Sequence, residues 1–303
     1  MADFTIPQTL RDAHTDEAAQ RWLKALPETT AGYLARWQLT IDGTPMHGAA
    51  SLVLPVRRTT GERAILKLQP RSDENEGEAL ALRTWSTDDV VRVLEYDDAT
   101  ATILLERLHP RTLDAVPDHV EATRILTELL ARLSTTEAPK ELRTLEAVAT
   151  EMVATAPALI PQLASAEEQQ LAATCAARVT ELLAEPGDRL LHWDLHYDNV
   201  MAADRAPWLV IDPKPLAGDP CFELFPALNN RWDDLVATGD LRRAIRYRFD
   251  LMVDRLGLDR DRAVGWTLGR ILQNVLWDLE DDEHAIEPVQ VAIAAALAGD
   301  PRG

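Results

Sequence analysis

Between His192 and Asn199 the chain places two His, two Asp and one Asn, directly after Leu190 and Leu191. A further carboxylate, Asp212, ends the apolar run "WLVID". Asp194 and Asn199 have the D-x-x-x-x-N spacing with which a phosphoryl-transfer loop supplies a base and a metal ligand. The residues that follow, "VMAA-DRAP-WLVID", read as strand, turn, strand, and such a hairpin brings its open ends together. Asn199 and Asp212 would then sit side by side, offering magnesium two oxygen donors and leaving positions for phosphates and water. Asp194 would face the γ-phosphate, placed to take a hydroxyl proton. A second chemistry uses the same letters. His192, Asp194, His196 and Asp198 alternate, and one strand face could present them as four ligands of a metal hydrolase. No Cys or His-rich segment completes such a site, and His14, His47, His109, His119 and His284 are scattered. On the phosphoryl-transfer reading, His192 braces the loop through hydrogen bonds from the core.

Phosphoryl transfer makes demands elsewhere. It needs a strand lysine for the nucleotide phosphates. Only four lysines are present among 31 basic residues, and Lys67 ends the apolar run "RAILK", where an unpaired ammonium would be costly. It needs a helix carboxylate to orient that lysine. "ENEGEALALRTW" offers Glu74, Glu76 and Glu78, of which Glu78 lies within the apolar-periodic part. A hairpin over the phosphates is expected at "IDGTPMHGAASL", with Gly43 and Gly48 but no full G-x-G-x-x-G. The backbone that pairs with a nucleobase is expected in "TILLERLHP", with Glu106 to Leu108 as candidates. Taken singly these are weak signals, and their order along the chain carries the reading.

The elements that must position these residues divide the chain in two. Up to about residue 105 the pattern is β-type, with short apolar runs separated by "GTPMHG" and "RTTGER" turns and one helix at "EALALRTW". After "LHPRTLDAVPD" helical spacing takes over, with Asp118 as an expected N-cap and Pro186-Gly187 as a stop. The expected organisation is α+β: an N-terminal β-rich lobe over 1–105, a hinge at 106–110, and a mainly helical lobe over 111–303. The 303 residues suffice for two lobes with a sizeable core. The formal net charge of -19 argues against a nucleic-acid partner and suits a cationic small molecule. Cys175 and Cys221 are the only cysteines, so no disulfide framework or structural zinc site is expected. With no leader-like N-terminus and no run long enough to cross a bilayer, a cytoplasmic protein without a membrane partner is expected.

On "LLHWDLHYDNV", "LVIDPKPLAGDPCFEL", "ILKLQP" and "EALALRTW", the chain resembles the aminoglycoside phosphotransferase superfamily. More narrowly, it is similar to the streptomycin 6-phosphotransferase and hydroxyurea phosphotransferase group, from about Trp37 to Asp282. The resemblance implies a two-lobed, protein-kinase-like fold and ATP- and Mg2+-dependent transfer of the γ-phosphoryl group to a small-molecule hydroxyl, conferring antibiotic resistance. It implies Asp194 as base, Asn199 and Asp212 as metal ligands, and Lys67 with Glu78 as the ATP-orienting pair. Lys214, in "IDPK", falls where the family also keeps a lysine, touching phosphate or bracing the loop. Many members have Gly where Trp193 stands. The indole either shapes the acceptor pocket or anchors the loop in the core.

The acceptor pocket is expected in the C-terminal lobe, from "DPCFELFPALNNRWDDL", with Trp193, Glu223, Asn230 and Asp233 as candidates beside Asn229, Arg231 and Asp234. Trp266 and Trp277, at helical spacing, are expected in the core. Two other functions share these motifs: a metabolic amino-sugar or amino-alcohol kinase, and a nucleotide-binding regulator that has lost catalysis. Joint retention of Lys67, Asp194, Asn199 and Asp212 argues against the second.

Overall fold

The computed structural model describes residues 4–48, 50–85 and 88–298. Two helices come first, α1 (Gln8–Asp12) and α2 (Glu17–Arg36). Strands β1 (Leu39–Ile41), β2 (Met46–His47), β3 (Leu52–Arg58) and β4 (Arg63–Leu68) follow, then α3 (Glu78–Trp85), β5 (Val93–Asp97) and β6 (Thr102–Glu106). They form one antiparallel sheet in the order β1-β3-β4-β6-β5, with β2 also paired to β3.

Period-2 alternation decides what each face of this sheet does. On β4, Ala64, Leu66 and Leu68 point to one side, where they are buried with Leu52, Leu54, Val56 and Leu104 beneath Leu23, Leu26 and Tyr33 of α2. Each fully buried leucine contributes roughly 1.5–3 kcal/mol. Ile65 and Lys67 point to the other side, together with Ile103 and Leu105, toward α3. Lys67 thus reaches the inner face because its neighbours are committed to the outer one.

The long α2 corrects the expectation of a purely β-type start. Tyr33 to Arg36 close this helix, and the first strand begins only at Leu39. Pro27 and Gly32 mask its periodicity, while Leu23, Leu26, Thr30 and Tyr33 still make a buried stripe. Asp16 caps it, accepting from the Ala18 and Ala19 amides at 2.8 and 2.9 Å.

The rest is mainly helical: α4 (His119–Leu133), α5 (Leu145–Leu159) and α6 (Ala166–Leu182), then α7 (Leu224–Asn229), α8 (Trp232–Ala237), α9 (Leu241–Leu256), α10 (Arg260–Glu280) and α11 (Pro288–Leu297). Four short strands lie between the two helical groups: β7 (Arg189–Leu191), β8 (Val200–Met201), β9 (Leu209–Val210) and β10 (Leu216–Gly218). They pair as two small ladders, β7 with β10 and β8 with β9. Asp118 caps α4 as the sequence predicts. Helix α10 lies against α6 at close range. A Cβ on Gly265 would fall 2.7 Å from Leu182 Cδ1, and one on Gly269 would fall 3.0 Å from Val179 Cγ2. Small residues at i and i+4 let the helices approach and fix the residue after Gly269, which is Arg270. Trp266 is fully buried as expected, edge-on to Phe222, whereas Trp277 is 37% exposed and packs against Trp193.

Candidate active site

The site is assembled where the inner face of the sheet meets the two small ladders. Lys67 Nζ donates to both oxygens of Glu78, each at 2.9 Å, and also to Asp212 Oδ1. Gln69 adds a third donor to Glu78 at 2.7 Å. Glu78 reaches this position because Gly77 adopts a left-handed φ of +92° and lets the start of α3 lie on the C-terminal half. A Cβ there would fall 2.4 Å from Leu142 Cδ2. Glu74 and Glu76 are exposed. Burial alone would push the Lys67 ammonium down, but Asp212 and Glu78 outweigh it and hold it above the usual lysine range.

Asn199 and Asp212 stand at the open end of the β8–β9 hairpin. Val200 pairs with Val210, and the Ile211 amide donates to the Asn199 carbonyl at 2.9 Å. The Asn199 amide nitrogen donates to the Asp194 carbonyl at 2.8 Å and lies 3.1 Å from His196 Nε2, so its oxygen is turned away from these contacts. Asp212 has φ +57°, a left-handed conformation that Asp tolerates better than most residues. Burial would raise its carboxyl, but Lys67, with Lys214, outweighs burial and holds it well below the usual carboxylate range. Asn199 Oδ1 and Asp212 Oδ2 receive no protein donor among the described residues. Two neighbouring oxygens left over in this way fit a hard, octahedral cation such as Mg2+.

His192 is buried and neutral. Burial pushes its imidazole down to about 4. The ring donates from Nε2 to the Ile211 carbonyl at 2.9 Å, which leaves Nδ1 to accept the Asp194 amide at 3.3 Å. It therefore ties the β8–β9 hairpin to the backbone amide of Asp194. His196 and Asp198 face each other, and Asp198 also meets Asn230 at 3.2 Å. Among the described residues no group of three or more His, Cys, Asp or Glu converges on a metal position. The four-ligand hydrolase geometry is absent there. Burial raises the Asp194 carboxyl, opposed by His196, Arg270 and Lys214.

Trp193 explains how Asp194 is aimed. Its φ is +65°, a left-handed conformation costing roughly 1–2 kcal/mol for a residue with a Cβ and nothing for glycine. Four contacts hold it there. Its amide donates to Glu223 Oε1 at 3.0 Å, its indole N–H donates to Gln273 at 3.3 Å, and its ring carries the guanidiniums of Arg143 and Arg270 at 5.1 and 5.3 Å. The ring is buried and anchors the loop.

Of the other residues expected around the acceptor, Glu223 is corrected. It is 1% exposed, and Oε1 points up into the loop backbone instead of a cleft. Burial raises its carboxyl to about 7. Asn230 donates to Asp198, and Asp233 is exposed in the first turn of α8, with no hydrogen bond or ion pair among the described residues. In the hinge, Glu106 gives its side chain to Arg205 and to the Arg92 amide, and its backbone N–H donates to the Arg92 carbonyl at 3.0 Å, so both are committed within the protein. Leu108 is half-buried, and its backbone groups have no partner among the described residues. Gly48 and Ser51 close the β2–β3 turn, their amide and carbonyl 2.9 Å apart, while Ala49 of the expected phosphate-covering loop lies outside the described residues. Sequence reasoning missed Arg270, Arg143, Gln273 and Gln69. For Arg270 a signal was present, a charge in the middle of the apolar run "GWTLGRILQNVLW".

Comparison with known proteins gives the family and the fold. Residues 36–282 match the family described as aminoglycoside/hydroxyurea antibiotic resistance kinase. A streptomycin 6-kinase of Streptomyces glaucescens is 50% identical over 298 residues, 97% of each chain. A hydroxyurea phosphotransferase of Kitasatospora aureofaciens is 47% identical over 285 residues, 93% of this chain and 82% of that one. A crystal structure of a thermostable mutant of aminoglycoside phosphotransferase APH(4)-Ia, in ternary complex with AMP-PNP and hygromycin B, superposes with a TM-score of 0.60 at 14% identity, covering 89% of this chain and 99% of that one. The fold is thus the two-lobed, kinase-like one, and the chain belongs to the aminoglycoside/hydroxyurea antibiotic resistance kinases.

Proposed function

We propose that this chain is an ATP- and Mg2+-dependent O-phosphotransferase that moves the γ-phosphoryl group to a hydroxyl of a streptomycin-like aminoglycoside or of hydroxyurea, conferring resistance in the cytoplasm. The lobes divide at 106–110, with 1–105 holding the nucleotide and 111–303 the catalytic loop and the acceptor. Support comes first from one constellation: Lys67 bridges Glu78 of the upper lobe and Asp212 of the lower, with Asn199 and Asp194 fixed beside Asp212. These are the parts that phosphoryl transfer requires, because the reaction depends mainly on positioning and charge neutralisation.

Lys67, held by Glu78, orients the nucleotide phosphates. The hinge backbone from Glu106 to Leu108 receives the adenine. Asn199 Oδ1 and Asp212 hold Mg2+, which supplies positive charge to the phosphate oxygens. Asp194, aimed by His192 and Trp193, accepts the acceptor's hydroxyl proton, and its burial keeps it basic enough to do so. Asn230 and Asp198 form the rim nearest the acceptor. The high negative charge disfavours nucleic acid and draws cationic acceptors toward the protein.

The test is magnesium-dependent ATP consumption against streptomycin, other aminoglycosides, hydroxyurea and glucosamine, with mass detection of the phosphorylated acceptor. A phosphate on streptomycin or hydroxyurea supports the reading. Product on glucosamine alone would replace it with a metabolic kinase.

A further inference from the structure

Helix α10 buries an apolar face, yet Arg270 interrupts it beside the catalytic loop. Its Nη1 donates to Gln273 Oε1, the same oxygen that accepts the Trp193 indole N–H. Its guanidinium carbon lies 5.3 Å from the Trp193 ring centre and 5.4 Å from that of Trp277. The side chain is thus fixed by one amide and two aromatic rings, with Asp194 the next residue along the chain from Trp193. Its Nε is buried and has no partner among the described residues. Arg143, 5.1 Å from the same indole, also has a buried Nε and Nη2 without partners. Among the described residues neither arginine makes an ion pair. Buried guanidinium donors without an acceptor are costly and rare. Beside Asp194 they leave N–H donors free for an anion.

The chemistry of the reaction identifies that anion. Acceptors differ, but every turnover brings a phosphoryl group past Asp194. As the acceptor oxygen bonds to phosphorus, its proton goes to Asp194 and the bond from phosphorus to the bridging oxygen breaks, leaving its electron pair on ADP. Lys67 lies on the nucleotide side of this event. Arg270 and Arg143 stand against Trp193, the residue before Asp194. We propose that Arg270 is a catalytic residue, which donates N–H bonds to the non-bridging oxygens of the phosphoryl group as it passes from nucleotide to acceptor. Trp193 gives Arg270 a stacking platform, which accounts for a bulky indole where the backbone conformation would suit glycine. Arg143 adds positive charge from the loop before α5.

This rests on the phosphotransferase reading above. The test compares the wild type with Arg270→Gln, Arg270→Lys and Arg270→Ala. Arg270→Gln should lower kcat about 10²- to 10³-fold, as loss of a cation on a transferring phosphoryl group does. KM for MgATP and for the acceptor should stay within about threefold, and Arg270→Lys should recover part of the rate because it keeps a charge but loses the fork geometry. Added guanidinium should restore part of the rate of Arg270→Ala, which a purely structural role would not allow. Independently of turnover, calorimetry on Arg270→Gln should show affinity for the phosphorylated product reduced about tenfold, with affinity for the unphosphorylated acceptor unchanged. A kcat within threefold of wild type would overturn the proposal. So would a parallel loss of affinity for acceptor and product, which would make Arg270 an acceptor-binding residue. If the wild type phosphorylates no acceptor, the proposed function fails, and the rate of ATP hydrolysis by water in the same variants decides Arg270 separately.

Discussion

Glu223 lies almost fully buried beneath the catalytic loop, and the perturbation that isolates its role is Glu223→Gln. Burial raises its carboxyl from an ordinary 4.5 to about 7, against the opposing hydrogen bond from the Trp193 amide and the nearby Arg270 charge, and with Asp194 adding to the rise. The folded chain therefore holds this proton more tightly than the unfolded chain does. Its contribution to stability is complete below pH 4.5 and is lost as pH rises through 7. At about 1.4 kcal/mol per pH unit, the interval amounts to about 3 kcal/mol. Glutamine keeps an oxygen for the Trp193 amide and cannot ionise. Urea unfolding of wild type and variant should give equal stabilities within about 0.5 kcal/mol at pH 4.5. At pH 8 the variant should be more stable by about 2–3 kcal/mol, with m-values unchanged. A difference that is the same at both pH values would refute the buried, proton-holding Glu223 described above.

Lys67→Met leaves Glu78 buried with only Gln69 as a donor. It should destabilise the fold by about 3–5 kcal/mol in denaturant titration, and adding Glu78→Gln should recover most of that while nucleotide affinity stays low. A loss below 1 kcal/mol, or no recovery in the double variant, would count against the buried pair. Asp212→Asn removes the charge shared by Lys67 and the metal position. It should weaken magnesium-dependent nucleotide binding at least tenfold by calorimetry, an estimate of about 1.4 kcal/mol or more for a charged ligand, and an unaltered magnesium dependence would remove Asp212 from the metal site.

How much of this was legible in the sequence depends on the range of each interaction. The Asn199–Asp212 juxtaposition follows from one tight hairpin, so thirteen residues of local pattern suffice to see it. Glu78 could be picked from its neighbours because helical periodicity places it on the buried face of α3, eleven residues from Lys67. Helix α2 was hidden because proline and glycine interrupt its pattern and its partner face, the outer side of the sheet, exists only after β3, β4 and β6 have paired. Glu223 reads as an acceptor-pocket candidate, and Arg270 only as a charge inside an apolar helical run. Their burial depends on α10 closing onto α6 and onto the loop at residues 192–194, contacts spanning from 30 to 80 residues of chain. Trp193 was legible as an oddity and not as a solution, since its φ and its two arginines are tertiary facts.

On the proposed function, Asp194 takes the acceptor's proton in a phosphoryl transfer from ATP. The most direct test is single-turnover transfer by Asp194→Asn, read as phosphorylated acceptor by mass, beside equilibrium binding of MgATP to the same protein. Loss of a positioned base predicts a rate at least about 10²-fold below wild type with nucleotide affinity retained within about threefold. Transfer at a near wild-type rate would contradict it.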